Sequence, residues 1–281
     1  MGNVQVSVVV LGRRLVAEFA GSAFLTAVVI GSGIAAVRLS PGDTGLELLE
    51  NAAATAAGLY AIILMFGPVS GGHFNPVVSF VDAAFGGLRW RDAAAYLPAQ
   101  VVGCIAGAVI ANLMFGIQAV SISGKDRASA PHFLGEIVAT LGLILVIMAL
   151  VRSGRSSSAP AAVGAYIGAA YFFTSSASFA NPAITVGRMF SNTFAGIAPA
   201  SAPAFIGAQV IGGAAAFVLV RALYPEVTRA QAADVVVPHP AGMTADGATA
   251  DGATADGATA DGATADGATA SAGRTSRDLS K

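Results

Sequence analysis

Charge is what this chain has least of. Only 11% of its 281 residues are Asp, Glu, Lys or Arg, and the formal net charge is −1. A soluble globular chain carries about a quarter charged residues, so an ordinary soluble domain is excluded. Without a basic excess, nothing points to a nucleic-acid partner. Cys104 is the sole cysteine. An intrachain disulfide is therefore impossible, and a small buried apolar group is its ordinary role. The three histidines, His73, His132 and His239, are scattered. No metal-ligand spacing is present, and no serine has a histidine base near it within the apolar runs. Neither an enzyme nor a resident metal or cofactor is expected. Lys125 is the one lysine before the C-terminal tail, and the bias to Ala, Gly and Arg is that of a GC-rich bacterial genome.

Apolar residues fill the space that charge leaves. They make up 55% of the chain, and the mean hydropathy is +0.70. A spanning helix needs about 20 mostly apolar residues. Six runs qualify, at about 14–37, 46–66, 92–115, 133–151, 159–174 and 202–223, the fifth being the shortest. The first is long enough to span and no clear cleavage site follows it, so it reads as a span rather than a removable leader. Two shorter segments, 76–85 and 182–190, are too short to cross. Gly103, Gly107, Gly207, Gly212 and Gly213 crowd the long runs; small residues let membrane helices approach closely.

Each short segment follows an Asn-Pro dipeptide. The first stands in Ser70-Gly71-Gly72-His73-Phe74-Asn75-Pro76-Val77, the second in Ser178-Phe179-Ala180-Asn181-Pro182-Ala183. Asn is a strong N-cap and Pro is favoured at the first helical position, so each dipeptide starts a helix. A helix start at membrane depth is tolerated only where it lines a cavity or is buried in protein. The two short segments therefore read as half-helices dipping into the bilayer.

The halves repeat. Ala99-Gln100-Val101-Val102-Gly103 matches Ala208-Gln209-Val210-Ile211-Gly212, an offset of 209 − 100 = 109. The Asn-Pro motifs are offset by 181 − 75 = 106, and Glu18 and Glu136 by 136 − 18 = 118. Each half has three spans, an odd number, so the halves lie in opposite orientation as an inverted repeat. Boundaries fall at 1–12 for an N-terminal segment and 13–225 for the membrane domain. Repeat one covers about 13–115 and repeat two about 131–223. With the N-terminus cytoplasmic, Arg13, Arg14, Arg89, Arg91, Arg152, Arg155, Arg221 and Arg229 lie inside. Arg38, Lys125, Arg127 and Arg188 then lie outside. The bias puts both termini in the cytoplasm, in what is expected to be a bacterial inner membrane.

Residues 238–281 differ in kind: Ala-Asp-Gly-Ala-Thr repeats five times between Ala245 and Thr269. Such a tail has almost no apolar surface to bury and is expected to be disordered. Truncation after about Pro240 should leave folding and conduction intact. A truncated protein that loses assembly or permeability in proteoliposomes would contradict this.

Six spans, an inverted repeat and the paired motifs together resemble the aquaporin (major intrinsic protein) family, over residues from about 13 to 225. The resemblance implies an all-α membrane fold, with six transmembrane helices and two re-entrant half-helices, forming a passive channel for small neutral solutes. It also implies a homotetramer in the lipid bilayer with one pore per protomer. Pro76, Val77, Pro182 and Ala183 then stand with the two asparagines at the pore centre. Asn75 and Asn181 cap their half-helices through the side-chain oxygen, which leaves the NH2 groups to donate into the pore. The half-helix N-termini repel cations. Unwound segments at 67–74 and 175–180 expose carbonyl acceptors. Glu18 and Glu136, with Gln100 and Gln209, are expected to support the re-entrant loops. His73 lines the pore or fixes its loop.

Counted from the motifs, the family's selectivity-filter positions fall on Thr55, Ala169, Ser178 and Ile184. Ile184 stands where an arginine is usual, so a wide, uncharged, partly apolar filter is expected. Arg188 follows four residues later on the same helix face, ~6 Å further out, either over the outer vestibule or as a solvated helix end. Asp82 holds the corresponding place in the first half. The second motif with 192–197 resembles a bacterial subgroup associated with arsenic-resistance operons. That implies passage of undissociated arsenicals such as arsenous acid, besides water and small polyols. The competing readings are an ordinary water channel, a secondary transporter and a non-conducting homologue closed at Val77 or at the filter. Apart from Glu18 and Glu136, the spans offer no ionisable pair to couple transport.

Overall fold

A computed structural model describes residues 10–225. The first nine residues and everything after 225, including the repeat tail, lie outside the described residues. Among the described residues there are eight α-helices and no strands: α1 (Leu11–Leu39), α2 (Thr44–Ser70), α3 (Pro76–Phe85), α4 (Trp90–Met114), α5 (Ala130–Arg152), α6 (Ala159–Phe173), α7 (Pro182–Arg188) and α8 (Ala202–Leu223).

Local chemistry explains where these helices begin. Asp43 caps α2 by accepting from Leu46 N at 3.0 Å, and Ser129 caps α5 by accepting from His132 N at 3.4 Å. Pro stands in the first turn of α3, α5, α6, α7 and α8, where its missing N–H costs nothing. Five helices are long and apolar enough to cross a membrane: α1, α2, α4, α5 and α8. The expected fifth span, 159–174, is α6, the shortest of the six at 15 residues, behind a 3-10 turn at Ser156–Ser158. The first unwound segment is shorter than the sequence reading. Helix α2 runs through Pro68 to Ser70, so only Gly71–Phe74 is irregular before the first motif. Pro68 lies in the last turns of α2, where the loss of one helical hydrogen bond is more easily borne than in a helix centre.

The repeat is visible in the packing. Helix α1 lies against α4, and its counterpart α5 lies against α8. Glycines set both seams. A Cβ on Gly103 would stand 2.3 Å from the Phe19 carbonyl oxygen, and one on Gly107 2.1 Å from that of Ala23. On the other side, a Cβ on Gly212 would reach the Ile137 carbonyl oxygen at 2.5 Å. These are backbone-to-backbone contacts that no larger residue permits. The half-helices α3 and α7 fit between the bundles so that their N-termini meet.

Candidate functional site

The two Asn-Pro motifs come together through reciprocal hydrogen bonds. Asn75 Oδ1 accepts from Val77 N at 3.0 Å. Asn181 Oδ1 accepts from Ala183 N at 2.9 Å and Ile184 N at 3.2 Å. Both caps follow the sequence reading. The amide nitrogens do not. Asn75 Nδ2 donates to the Ala180 carbonyl at 2.7 Å, and Asn181 Nδ2 donates to the Phe74 carbonyl at 2.7 Å. An NH2 group has two hydrogens, so each asparagine clasps the opposite loop with one and keeps one for the lumen. The expectation of a wholly free NH2 is corrected accordingly.

Buried carboxylates hold both loops from behind. Glu18 accepts from His73 N at 3.1 Å and Phe74 N at 2.7 Å, and from Ser70 Oγ and Gln100 Nε2. Glu136 accepts from Phe179 N and Ala180 N, both at 2.8 Å, and from Gln209 Nε2 at 2.6 Å. The glutamines then reach the half-helices, Gln100 to Ser79 and Gln209 to Thr185. These four side chains, each fully buried, form one network used twice. The network pins strained backbone: Phe74, Ala177, Ser178 and Ala180 all have φ between 45° and 56°. Non-glycine residues in that region cost about 1–3 kcal/mol each and persist only where neighbours hold them. Charge-assisted bonds to the carboxylates do so for Phe74 and Ala180, and Thr174 and Ser176 hold Ala177 and Ser178.

A cavity runs past the paired asparagines. About 60 Å³ of it is open to the centres of water-sized molecules, several times the roughly 10–15 Å³ that one water needs. One wall is apolar, built from Leu25, Val29, Leu59, Ile63, Leu143 and Ile147 of α1, α2 and α5. The half-helices and the loops before them contribute His73, Asn75, Ser178, Phe179, Ala180, Asn181 and Arg188, and α2 and α6 add the hydroxyls of Thr55 and Tyr171.

Of the counted filter positions, Thr55, Ser178 and Ile184 line this cavity and Ala169 does not. Ala169 is exposed on the outer side of α6. Val163, Ile167 and Tyr171 face the lumen instead, a stripe at four-residue spacing. Gly164 and Gly168 lie against α2: a Cβ there would stand 2.7 Å from the Ala56 carbonyl and 3.0 Å from Ala56 Cβ. Tyr171 OH lies 3.1 Å from Thr55 Oγ1. The cavity lining thus includes Tyr171 and Arg188 in addition to Thr55, Ser178 and Ile184.

Arg188 is not a solvated helix end. It is 2% exposed. Its Nε donates to the Ala195 carbonyl, and its guanidinium carbon stands 3.3 Å from the centre of the Phe179 ring. Two more cations hold the same segment: Lys125 Nζ donates to Phe194 O at 2.8 Å and Arg127 Nε to Gly196 O at 2.9 Å. Burial and the nearby guanidiniums of Arg127 and Arg188 bring the Lys125 ammonium down to about 8. At the opposite end, His73 Nδ1 lies 3.1 Å from Ser79 Oγ and its Nε2 lies 3.4 Å from Asp82 Oδ2. His73 thus lines the cavity and is also fixed, and both sequence readings of it apply.

Val77 does not block the lumen. Pro76, Val77, Pro182 and Ala183 all lie outside the cavity lining. Val77 is turned toward α8, where a Cβ on Gly213 would meet Val77 Cγ1 at 2.4 Å. Among the described residues no group of three or more His, Cys, Asp or Glu could hold a metal ion, and Cys104 is buried.

Half-helices meeting inside a helical membrane bundle, beside a cavity of mixed apolar and polar lining, define a passive channel for water and small solutes. The chain belongs to the major intrinsic protein (aquaporin) family, whose profile matches residues 5–178. It is 47% identical over 211 residues to aquaglyceroporin AqpS of Rhizobium meliloti, covering 75% of this chain and 90% of that protein. It is 32% identical over 181 residues to aquaporin NIP1-4 of rice (Oryza sativa subsp. japonica), 62% of this chain and 65% of that protein. The X-ray structure of the aquaglyceroporin from Plasmodium falciparum superposes with a TM-score of 0.61 at 19% identity, over 78% of this chain and 99% of that one. That likeness speaks for the fold.

Proposed function

We propose that this channel passes uncharged hydroxylated solutes, such as glycerol and undissociated arsenous acid, as well as water. The observation that carries the reading is the mixed lining of the cavity. Its aliphatic side chains accept a carbon backbone or a polarisable face, while Thr55, His73, Asn75, Tyr171, Ser178, Asn181 and Arg188 offer donors and acceptors. A solute shedding water regains hydrogen bonds from these groups, which suits small polyols. The aquaglyceroporin relative supports the same solute class. Thr55, Tyr171, Ser178 and Ile184 form the constriction in this reading. The working unit is a homotetramer in a bacterial inner membrane, with both termini cytoplasmic and no coupling ion.

The test is paired stopped-flow flux in proteoliposomes for water, glycerol and arsenous acid. The parent should pass all three without saturation and with a low activation energy. Ile184→Arg should narrow the constriction and lower solute flux much more than water flux. A parent that passes water but excludes both solutes makes an ordinary water channel the better account. Saturating, ion-dependent flux would favour a secondary transporter, and flux no higher than that of empty liposomes a non-conducting homologue.

A further inference from the structure

We propose that Arg188 is the solute-selecting donor of this pore, acting from one helical turn beyond the position that Ile184 occupies. The proposal rests on the channel reading and adds a specificity-determining residue to it.

Residues four apart on a helix share a face, and both Ile184 and Arg188 of α7 line the cavity. A guanidinium has five N–H donors in a rigid fork. The Nε hydrogen goes to the Ala195 carbonyl. No hydrogen bond among the described residues uses the terminal nitrogens, and no carboxylate among them pairs with Arg188. Its cationic neighbours differ. Arg127 spends Nε on Gly196 O and a terminal nitrogen on Phe194 O, and Lys125 spends Nζ on Phe194 O. Those two brace the loop; Arg188 does so with one nitrogen and presents the rest to the lumen. Glu136 acts on this guanidinium only from beyond salt-bridge distance, so the terminal nitrogens need oxygen acceptors, and solvent or a passing solute supplies them.

The fork is held in place. Its face lies on the Phe179 ring. Phe179 is itself fixed, by its N–H to Glu136 at 2.8 Å and by an edge contact to Phe205 at 5.1 Å. Gly187 brings the helix end hard against α4: a Cβ there would stand 2.8 Å from the Cys104 carbonyl oxygen. A donor pre-set in this way loses little freedom when it binds. The class of molecule it fits is uncharged, with two or more hydroxyl oxygens spaced to meet neighbouring N–H groups.

Arg188→Lys and Arg188→Met test this, with water and glycerol as probes in proteoliposomes. Lysine keeps a charge and one bond to Ala195 but loses the fork; methionine loses both. In each variant the glycerol-to-water flux ratio should fall about fivefold, roughly the loss of one hydrogen bond. If methionine prevents assembly, judged by size-exclusion chromatography in detergent, the lysine variant alone decides. A lysine variant with the parental ratio overturns the proposal and leaves Arg188 as a brace for the 194–196 segment. A parent with no flux above empty liposomes fails the channel reading instead, and is distinguished by that result.

Discussion

Glu136→Ala should cost this protein its assembled fold. The substitution removes the acceptor for Phe179 N, Ala180 N and Gln209 Nε2 at once, in a fully buried site. Each buried donor left unsatisfied costs roughly 1–3 kcal/mol. Two backbone N–H groups and one amide together approach the whole margin of a typical domain, about 5–15 kcal/mol. The strained residue Ala180 would also lose what holds it. In detergent, the unfolding midpoint should fall by roughly 10 °C or more, with loss of monodisperse protein. Glu136→Gln should be milder, because the amide keeps one acceptor oxygen. A Glu136→Ala variant with the parental midpoint and parental water permeability would show that the carboxylate is not a scaffold.

Asn181→Asp should leave the fold closer to intact and slow the pore. The cap survives, because one carboxylate oxygen still accepts from Ala183 N and Ile184 N. The other oxygen replaces Nδ2, 2.7 Å from the Phe74 carbonyl. A donor facing an acceptor becomes two acceptors facing each other, and the clasp opens. The lumen also loses a donor and gains a negative charge beside the half-helix starts, which favours cations. Losing one hydrogen bond in the lumen, with repulsion added, corresponds to about tenfold in rate. Water and glycerol flux should fall by that order, and a potassium gradient should begin to leak. Fluxes and ion exclusion equal to the parent's would remove Asn181 from the constriction.

Much of the fold was legible because a bilayer restricts the choices so severely. Long apolar runs, two Asn-Pro helix starts and the Gln-Gly repeats leave few arrangements that satisfy every backbone group. The length of α2 was less legible, since hydropathy does not register that a helix passes through Pro68. The clasp was hidden for a different reason. Asn75 and Asn181 donate to backbone carbonyls, and a carbonyl has no letter in the sequence. Ala169 shows how counting fails across a turn. Successive helical residues rotate by about 100°, so an offset of two turns a lumen residue to the lipid side. The stripe Val163, Ile167, Tyr171 is visible at four-residue spacing in the sequence, and would have found that face without a count from the motif. Arg188 was visible as a position, but its burial depends on Phe179 and Ala195, which no spacing rule connects to it.

The clasp also explains how a duplicated chain acquires two unlike ends. Each asparagine recognises the path of its partner loop rather than any side chain on it. Glu18 and Glu136 likewise grip N–H groups that every residue except proline supplies. The joint at the centre is thus indifferent to what the loop side chains become. One copy is left at liberty to place a histidine and an aspartate at its mouth, and the other a phenylalanine and an arginine. The symmetry is confined to the hinge-pin of the molecule, and the two mouths have drifted into separate trades.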